Sequence, residues 1–209
     1  MFRTLTPVVR ALLYVNLIAY ALEWLTGERL LVPFALWPLG ASRYGAPPFE
    51  PWQLITYAFL HDPSTLWHLL GNMFALYMFG PDTERVLGQR RFLVYYFACV
   101  VGAGLTQLWV ESSLAQRPEE TIGASGGIFG LLLFYGMTFP QRKLVLLFPP
   151  LPWPVPAWLF ATLYALLELY LGVAGRAQGV AHFAHLGGAA TGLLLVVYWR
   201  ATGRLGRYY

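Results

Sequence analysis

The charge-free runs that mark spans in this chain are 11–22, 63–81, 92–110, 121–141, 144–167 and 177–199, each 12 to 24 residues without an aspartate, glutamate, lysine or arginine. A helix rises about 1.5 Å per residue, so about 20 apolar residues cross a hydrocarbon layer of about 30 Å. In that layer no water satisfies the backbone, which restricts spanning segments to helices and closed barrels. The alternating strands of a barrel are absent. The sequence predicts spans at 5–26, 65–81, 92–111, 124–140, 155–172 and 179–199. The first takes in Arg10, whose stem lies along apolar surface while its head reaches the headgroups. The fifth starts late because Pro149, Pro150, Pro152, Pro154 and Pro156 would break a helix interior. The expected fold is all-α: a polytopic membrane protein in which one six-helix bundle takes up residues 1–209.

Composition excludes the alternatives. Hydrophobic residues make up 57% of the chain and charged residues 11%, against about 25% charged in a soluble domain. Twenty-four charges are too few for a soluble surface, and the apolar content is too high for disorder. Cys99, the single cysteine, rules out an intramolecular disulfide. The net charge of +4 does not imply nucleic acid, because the basic residues stand at the ends of apolar runs. With the N-terminus inside, ten of the fourteen Lys and Arg are cytoplasmic; Arg29, Arg43, Arg117 and Arg176 are outside. This predicts a multi-pass protein of the cell (inner) membrane with both termini cytoplasmic. Ala19-Tyr20-Ala21 loosely resembles a signal-peptide cleavage site, but the apolar stretch continues past it and five spans follow, so a retained first helix is expected. Segment 27–64 carries Trp37, Tyr44, Phe49, Trp52 and Tyr57, amphipathic aromatics that favour an interface, and is expected to lie partly in the outer leaflet.

Polar side chains inside spans are costly and usually functional. Helices 2, 4 and 6 all enter from outside in this topology. His68 and Asn72, Ser125, and His182 and His185 then fall near their outer ends, at one depth. Ser125 is followed by Gly126 and Gly130, and His185 by Gly188 and Gly192. Four-residue spacing of small residues lets membrane helices approach closely. If the two stripes face each other, Ser125 meets His185. A histidine within hydrogen-bond reach activates a serine hydroxyl. His68 and Asn72, four residues apart on one helix face, and the Ser125 amide are candidate oxyanion donors, with Gly123 and Gly126 keeping the backbone unobstructed. Glu111 and Glu168 fall near the outer ends of helices 3 and 5, and nothing in the sequence sets either against His185. A Ser-His dyad is therefore expected over a triad.

Three motifs carry a resemblance: His68-Leu69-Leu70-Gly71-Asn72, Gly123-Ala124-Ser125-Gly126, and Ala184-His185-Leu186-Gly187-Gly188 with Gly192. In order, spacing and helix assignment the chain resembles the rhomboid intramembrane serine proteases, whose minimal bacterial and archaeal-type core has six helices. The resemblance implies Ser125 as nucleophile, His185 as general base, and an oxyanion hole of His68, Asn72 and Ser125. It implies that segment 27–64 is a membrane-embedded first loop and that Glu84-Arg85 is a structural turn. Helix 5 with the first loop would be the substrate gate. Phe129 stands where some members carry a tyrosine packed on the histidine. It keeps the ring and lacks the hydroxyl. His182 is expected to pack or solvate beside the base, with lining the cavity or tuning the base as the alternatives, and His61 is expected to order its loop or sit at the interface rather than act in catalysis. Substrates would be single-span or polytopic membrane proteins with unstable helices near the outer face, cut through an acyl-enzyme. No cofactor, metal or nucleic acid is called for. The alternatives are a non-catalytic rhomboid-like binder of membrane clients and, less favoured, a histidine-based metal protein, which lacks an H-E-x-x-H motif.

Overall fold

The computed structural model describes residues 4–26, 28–114, 119–146, 153–175 and 180–206. Arg117, Arg176, Pro149, Pro150 and Pro152 of the sequence argument lie outside these residues, as do positions 27 and 179. The long helices are α1 (Pro7–Thr26), α4 (Leu66–Leu87), α5 (Gln89–Leu114), α6 (Ser125–Thr138), α7 (Ala157–Val173) and α8 (His182–Ala201). Between α1 and α4 come α2 (Glu28–Phe34) and the single turn α3 (Gln53–Thr56), with 3₁₀ turns at Ala41–Tyr44 and Tyr57–Phe59. Strands β1 (Lys143–Leu146) and β2 (Trp153–Pro156) pair antiparallel before α7, with Leu144 opposite Val155.

The long helices fall on the predicted spans with shifted ends. By length and composition alone, α1 and α5 suffice to cross a membrane, and α6 and α7 are shorter apolar helices. Helix α4 runs to Leu87 instead of ending at Pro81, because Pro81, Thr83, Glu84 and Leu87 are buried against neighbours. That packing outweighs the loss of one helical hydrogen bond at the proline. Helix α6 begins at Ser125, since Gly123 holds a φ of +121° that no helix continues. It ends before Pro140. Helix α7 starts directly after Pro156, which stands at its N-cap.

The centre of the molecule is α8 packed against α5 and α6. The Gly126–Gly130 and Gly188–Gly192 stripes face each other. A methyl on Gly188 would overlap the Gly126 carbonyl, and one on Gly192 would come within 3.2 Å of the Gly130 Cα. Two buried tyrosines use their hydroxyls on main-chain carbonyls: Tyr95 donates to Gly130 at 2.7 Å and Tyr57 to Val100 at 2.8 Å. An apolar core can hold them because their polar ends are satisfied.

Helix α1 is the peripheral member, and two buried carboxylates fasten it. Glu84 of α4 accepts from the Val8 and Val9 amides at 3.1 and 2.9 Å. These are donors that the first turn of α1 leaves without intrahelical partners. At the other end, Glu23 accepts from the His61 amide with both oxygens, at 3.0 and 3.1 Å. Glu84-Arg85, expected as a turn after the helix, lies instead in the last helical turn of α4 and has a structural role there: Arg85 also bonds the Thr4 carbonyl.

The segment between α1 and α4 is a built element. Fully buried Gln53 accepts from the Trp37 and Glu50 amides and donates to the Pro33 and Pro48 carbonyls. Leu36 and Thr121 exchange backbone hydrogen bonds, and the Gly123 amide donates to the Tyr57 carbonyl at 2.9 Å. The loop therefore buttresses the chain entering α6. Its aromatics divide: Trp37 and Tyr57 are buried, while Tyr44 and Trp52 are exposed.

The α6–α8 crossing sets an expectation. Gly188→Ala must push the two helices apart, lowering the thermal midpoint in detergent. Gly71→Ala meets nothing within 4 Å and should leave stability unchanged or raise it by about 0.5–1 kcal/mol through helix propensity. Equal midpoints for Gly188→Ala and wild type would contradict the packing described.

Candidate active site

Ser125 is the first residue of α6, and His185 lies one turn into α8. Because the glycine stripes let these helices touch, the Ser125 hydroxyl oxygen lies 2.8 Å from His185 Nε2, within hydrogen-bond distance. Ser125 is half-buried and His185 is buried. The imidazole is held on its face by Phe129, one turn along α6 from Ser125. The two rings stack at 4.3 Å between centroids with 7° between planes. Tyr164 of α7 packs on the other edge of this aromatic group, 4.9 Å from Phe129. Phe129 thus keeps the stacking that the resemblance led one to expect of a tyrosine there.

The N-terminus of α8 has no side-chain cap of its own. Gln107 of α5 supplies one, its Oε1 accepting from the Ala184 amide at 3.1 Å while its Nε2 donates to Glu111 at 3.0 Å. Gln107 was not among the residues singled out from sequence. Its partner lies 77 positions away, beyond any local pattern.

Glu168 is the larger omission. It projects from α7, is 4% exposed, and its Oε2 lies 2.9 Å from His185 Nδ1 and 2.6 Å from His182 Nδ1. The base therefore does have a carboxylate beside it, contrary to the sequence expectation. The two imidazoles meet one carboxylate oxygen from perpendicular planes, at 89° to each other. The three ligand atoms lie within 4.8 Å of one another, the one such His/Cys/Asp/Glu group among the described residues that could take a metal ion. The separations are those of hydrogen bonds, which a bound cation would have to replace.

His68 and Asn72 stand across the site on α4. The Asp62 amide donates to His68 Nδ1 at 3.3 Å, which leaves the proton of the neutral ring on Nε2. That Nε2 points at Gly123. A Cβ on Gly123 would lie 2.8 Å from it and 3.7 Å from Ser125 Oγ. Asn72 Nδ2 donates to the His68 carbonyl at 2.9 Å with one of its two hydrogens. The amides of residues 125–127 open α6 and carry the partial positive charge of a helix N-terminus. The serine hydroxyl and the His185 imidazole thus meet between α6 and α8, with His68 Nε2 facing the turn that leads into α6.

His61 lies behind His68, with ring centroids 5.0 Å apart. It is fully buried, and neither ring nitrogen meets a hydrogen-bond partner among the described residues. Burial, followed by the neighbouring His68 ring, pushes its pKa down to about 3, so it packs as a neutral ring. Gly126 faces Ala103 and Tyr57, which gives it the close-approach role read from sequence.

The comparisons with known proteins agree with one another. Residues 48–202 match the Rhomboid domain. The chain is 34% identical over 143 residues to Rhomboid protein 1, mitochondrial, of Saccharomyces cerevisiae, covering 68% of this chain and 40% of that protein. It is 33% identical over 153 residues to RHOMBOID-like protein 4 of Arabidopsis thaliana, covering 70% and 33%. With Rhomboid protease GlpG of Yersinia pestis it shares 26% identity over 196 residues, covering 92% and 62%. The chain thus spans about a third to just under two thirds of the length of these relatives. A domain match over most of the chain and these relatives lead to one conclusion: the chain belongs to the rhomboid family, whose members are helical integral membrane proteins.

Proposed function

We propose that this chain is an intramembrane serine endopeptidase, one domain of six spans formed by α1, α4, α5, α6, α7 and α8. The observation that carries the reading is the 2.8 Å contact between the Ser125 hydroxyl and His185 Nε2. The bias of Lys and Arg supports cytoplasmic termini and a site in the outer part of an inner membrane.

In the proposed reaction Ser125 Oγ attacks the scissile carbonyl carbon as its proton passes to His185 Nε2. The carbonyl electron pair moves onto oxygen. The Ser125 amide, His68 Nε2–H and the second hydrogen of the Asn72 amide are the donors for that oxyanion. As the C–N bond breaks, His185 returns the proton to the departing amine, leaving an ester on Ser125. Water entering from the outer side attacks the ester and gives its proton to His185, which restores it to Ser125 as the acid product leaves. A peptide bond inside a regular helix is shielded by its own hydrogen bonds. Substrates are therefore single-span or polytopic membrane proteins whose helices unwind locally at glycine, proline or other weak helix formers.

Purified wild type in detergent or liposomes should cleave members of a single-span substrate panel and react with a fluorophosphonate at Ser125. Ser125→Ala and His185→Ala should do neither. Equal cleavage by Ser125→Ala would refute the nucleophile, and a folded wild type that never labels would favour a non-catalytic client binder. Asn72→Ala should lower kcat about 10²–10³-fold at an unchanged thermal midpoint, the usual loss for one oxyanion donor. Gly123→Ala adds a Cβ at a left-handed φ and against His68. It should abolish labelling, and activity within tenfold of wild type would remove His68 from the oxyanion site.

A further inference from the structure

We infer that Glu168 is the third member of a Ser125–His185–Glu168 relay, a positioning residue that fixes the reactive tautomer of the base. The inference rests on the peptidase reading and extends it beyond a serine–histidine pair. It starts from the two ends of one ring. His185 Nε2 faces the Ser125 hydroxyl at 2.8 Å, and Nδ1 faces Glu168 Oε2 at 2.9 Å. A neutral imidazole carries one proton. With the proton on Nδ1, the ring donates to the carboxylate and presents a lone pair to the serine. With the proton on Nε2, two donors would confront each other at Ser125 and the base would be inert. An ionised Glu168 selects the first arrangement. It also lies against the imidazolium that forms when the serine proton arrives.

Three further observations separate this from a structural ion pair. Glu168 is 4% exposed, on a helix whose other buried residues are only Ala157 and Ala161. A lone carboxylate at that depth is strongly unfavourable unless hydrogen-bonded. His182, at 2.6 Å, would alone answer that need. The second contact runs instead to the one ring that also touches the serine. Phe129, stacked 7° from parallel, fixes the plane of that ring, so the line from Oε2 through Nδ1 and Nε2 to Oγ cannot swing apart by simple rotation. The same constellation of acid, base and nucleophile recurs on unrelated folds, where losing the acid costs about 10⁴ in kcat through the wrong tautomer.

The test uses the full chain in detergent micelles, as wild type, Glu168→Gln, Glu168→Asp and Ser125→Ala, with ¹⁵N-labelled histidine and His185→Ala to assign the ring signals. Wild-type His185 should show the Nδ1-protonated tautomer, and Glu168→Gln should lose it. Glu168→Gln should label with fluorophosphonate about 10²–10⁴-fold more slowly and lose kcat with KM within about twofold, while Glu168→Asp recovers at least tenfold. An Nε2-protonated His185 in wild type overturns the relay whether or not any variant folds well. Wild-type labelling rates in Glu168→Gln overturn it too, and leave the serine–histidine reading standing. Loss of wild-type labelling on EDTA treatment, restored by zinc, would overturn it in favour of a metal held by Glu168, His182 and His185. A wild type that shows the expected tautomer but never labels would support the geometry of the relay and sink the peptidase reading alone.

Discussion

The site exists because two helices meet where they have no side chains. Ordinary helix pairs pack with their axes about 8–10 Å apart. Gly126 and Gly188 remove the spacers, and the Gly126 carbonyl occupies the volume a methyl on Gly188 would need. Ser125 precedes one of these glycines by a single residue, and His185 precedes the other by three. The 2.8 Å bond between them is a direct consequence of backbone approach. The crossing is then reinforced from α5, where Tyr95 ties the Gly130 carbonyl and Gln107 caps the start of α8. The glycines set how near the helices come, and the polar contacts from α5 hold α6 and the start of α8 in place.

Around that crossing, His68, Asn72 and Glu168 each meet a hydrogen-bond partner, which decides which proton sits where. His68 accepts from the Asp62 amide and so offers its other nitrogen as a donor. Asn72 spends one amide hydrogen on the His68 carbonyl. Glu168 takes two imidazoles on one oxygen. In a medium of low polarity such bonds are strong and unpaired groups are costly. Preorganisation of the donors and of the base follows from the same need to satisfy buried polarity. Glu84 and Glu23 answer that need away from the site, on the backbone amides of Val8, Val9 and His61.

Much of this was legible from the sequence, for reasons that also explain what was not. Charge-free runs gave the six long helices, and helix period put Ser125 beside its glycine stripe and His185 beside its own. Phe129 followed from Ser125 by one turn. Glu168 was invisible because period relates residues only within a helix. Which way α7 is turned toward α8 depends on packing, here on Ala161 lying against Gly136. Pro81 misled for a related cause. A proline forecasts a helix end locally, but the burial of Thr83, Glu84 and Leu87 is a tertiary fact. The aromatics of segment 27–64 read alike as interfacial residues, yet Trp37 and Tyr57 became core anchors because the loop folds over α5 and Gly123. Pro154 and Pro156, read as excluding helix before α7, stand in β2, and they gave no hint of the β1–β2 pairing.

Helix α7 brings these threads together. It buries only Ala157, Ala161 and Glu168, while Leu163, Leu166, Leu167, Leu169, Tyr170 and Val173 are exposed. Its outer face is apolar, as a lipid-facing helix requires, and its inner face carries small alanines, the rings of Phe160 and Tyr164, and one carboxylate. A hydrogen bond weakens steeply once its atoms part by more than a few tenths of an ångström. The Glu168–His185 contact, already at 2.9 Å, is therefore made only when α7 is seated against α6 and α8. The small residues at that seam, Gly136 and Ala161, set how closely the seat fits. The carboxylate that orients the base is carried by the helix with the fewest buried residues among the six, so the geometry of the base depends directly on the docking of α7.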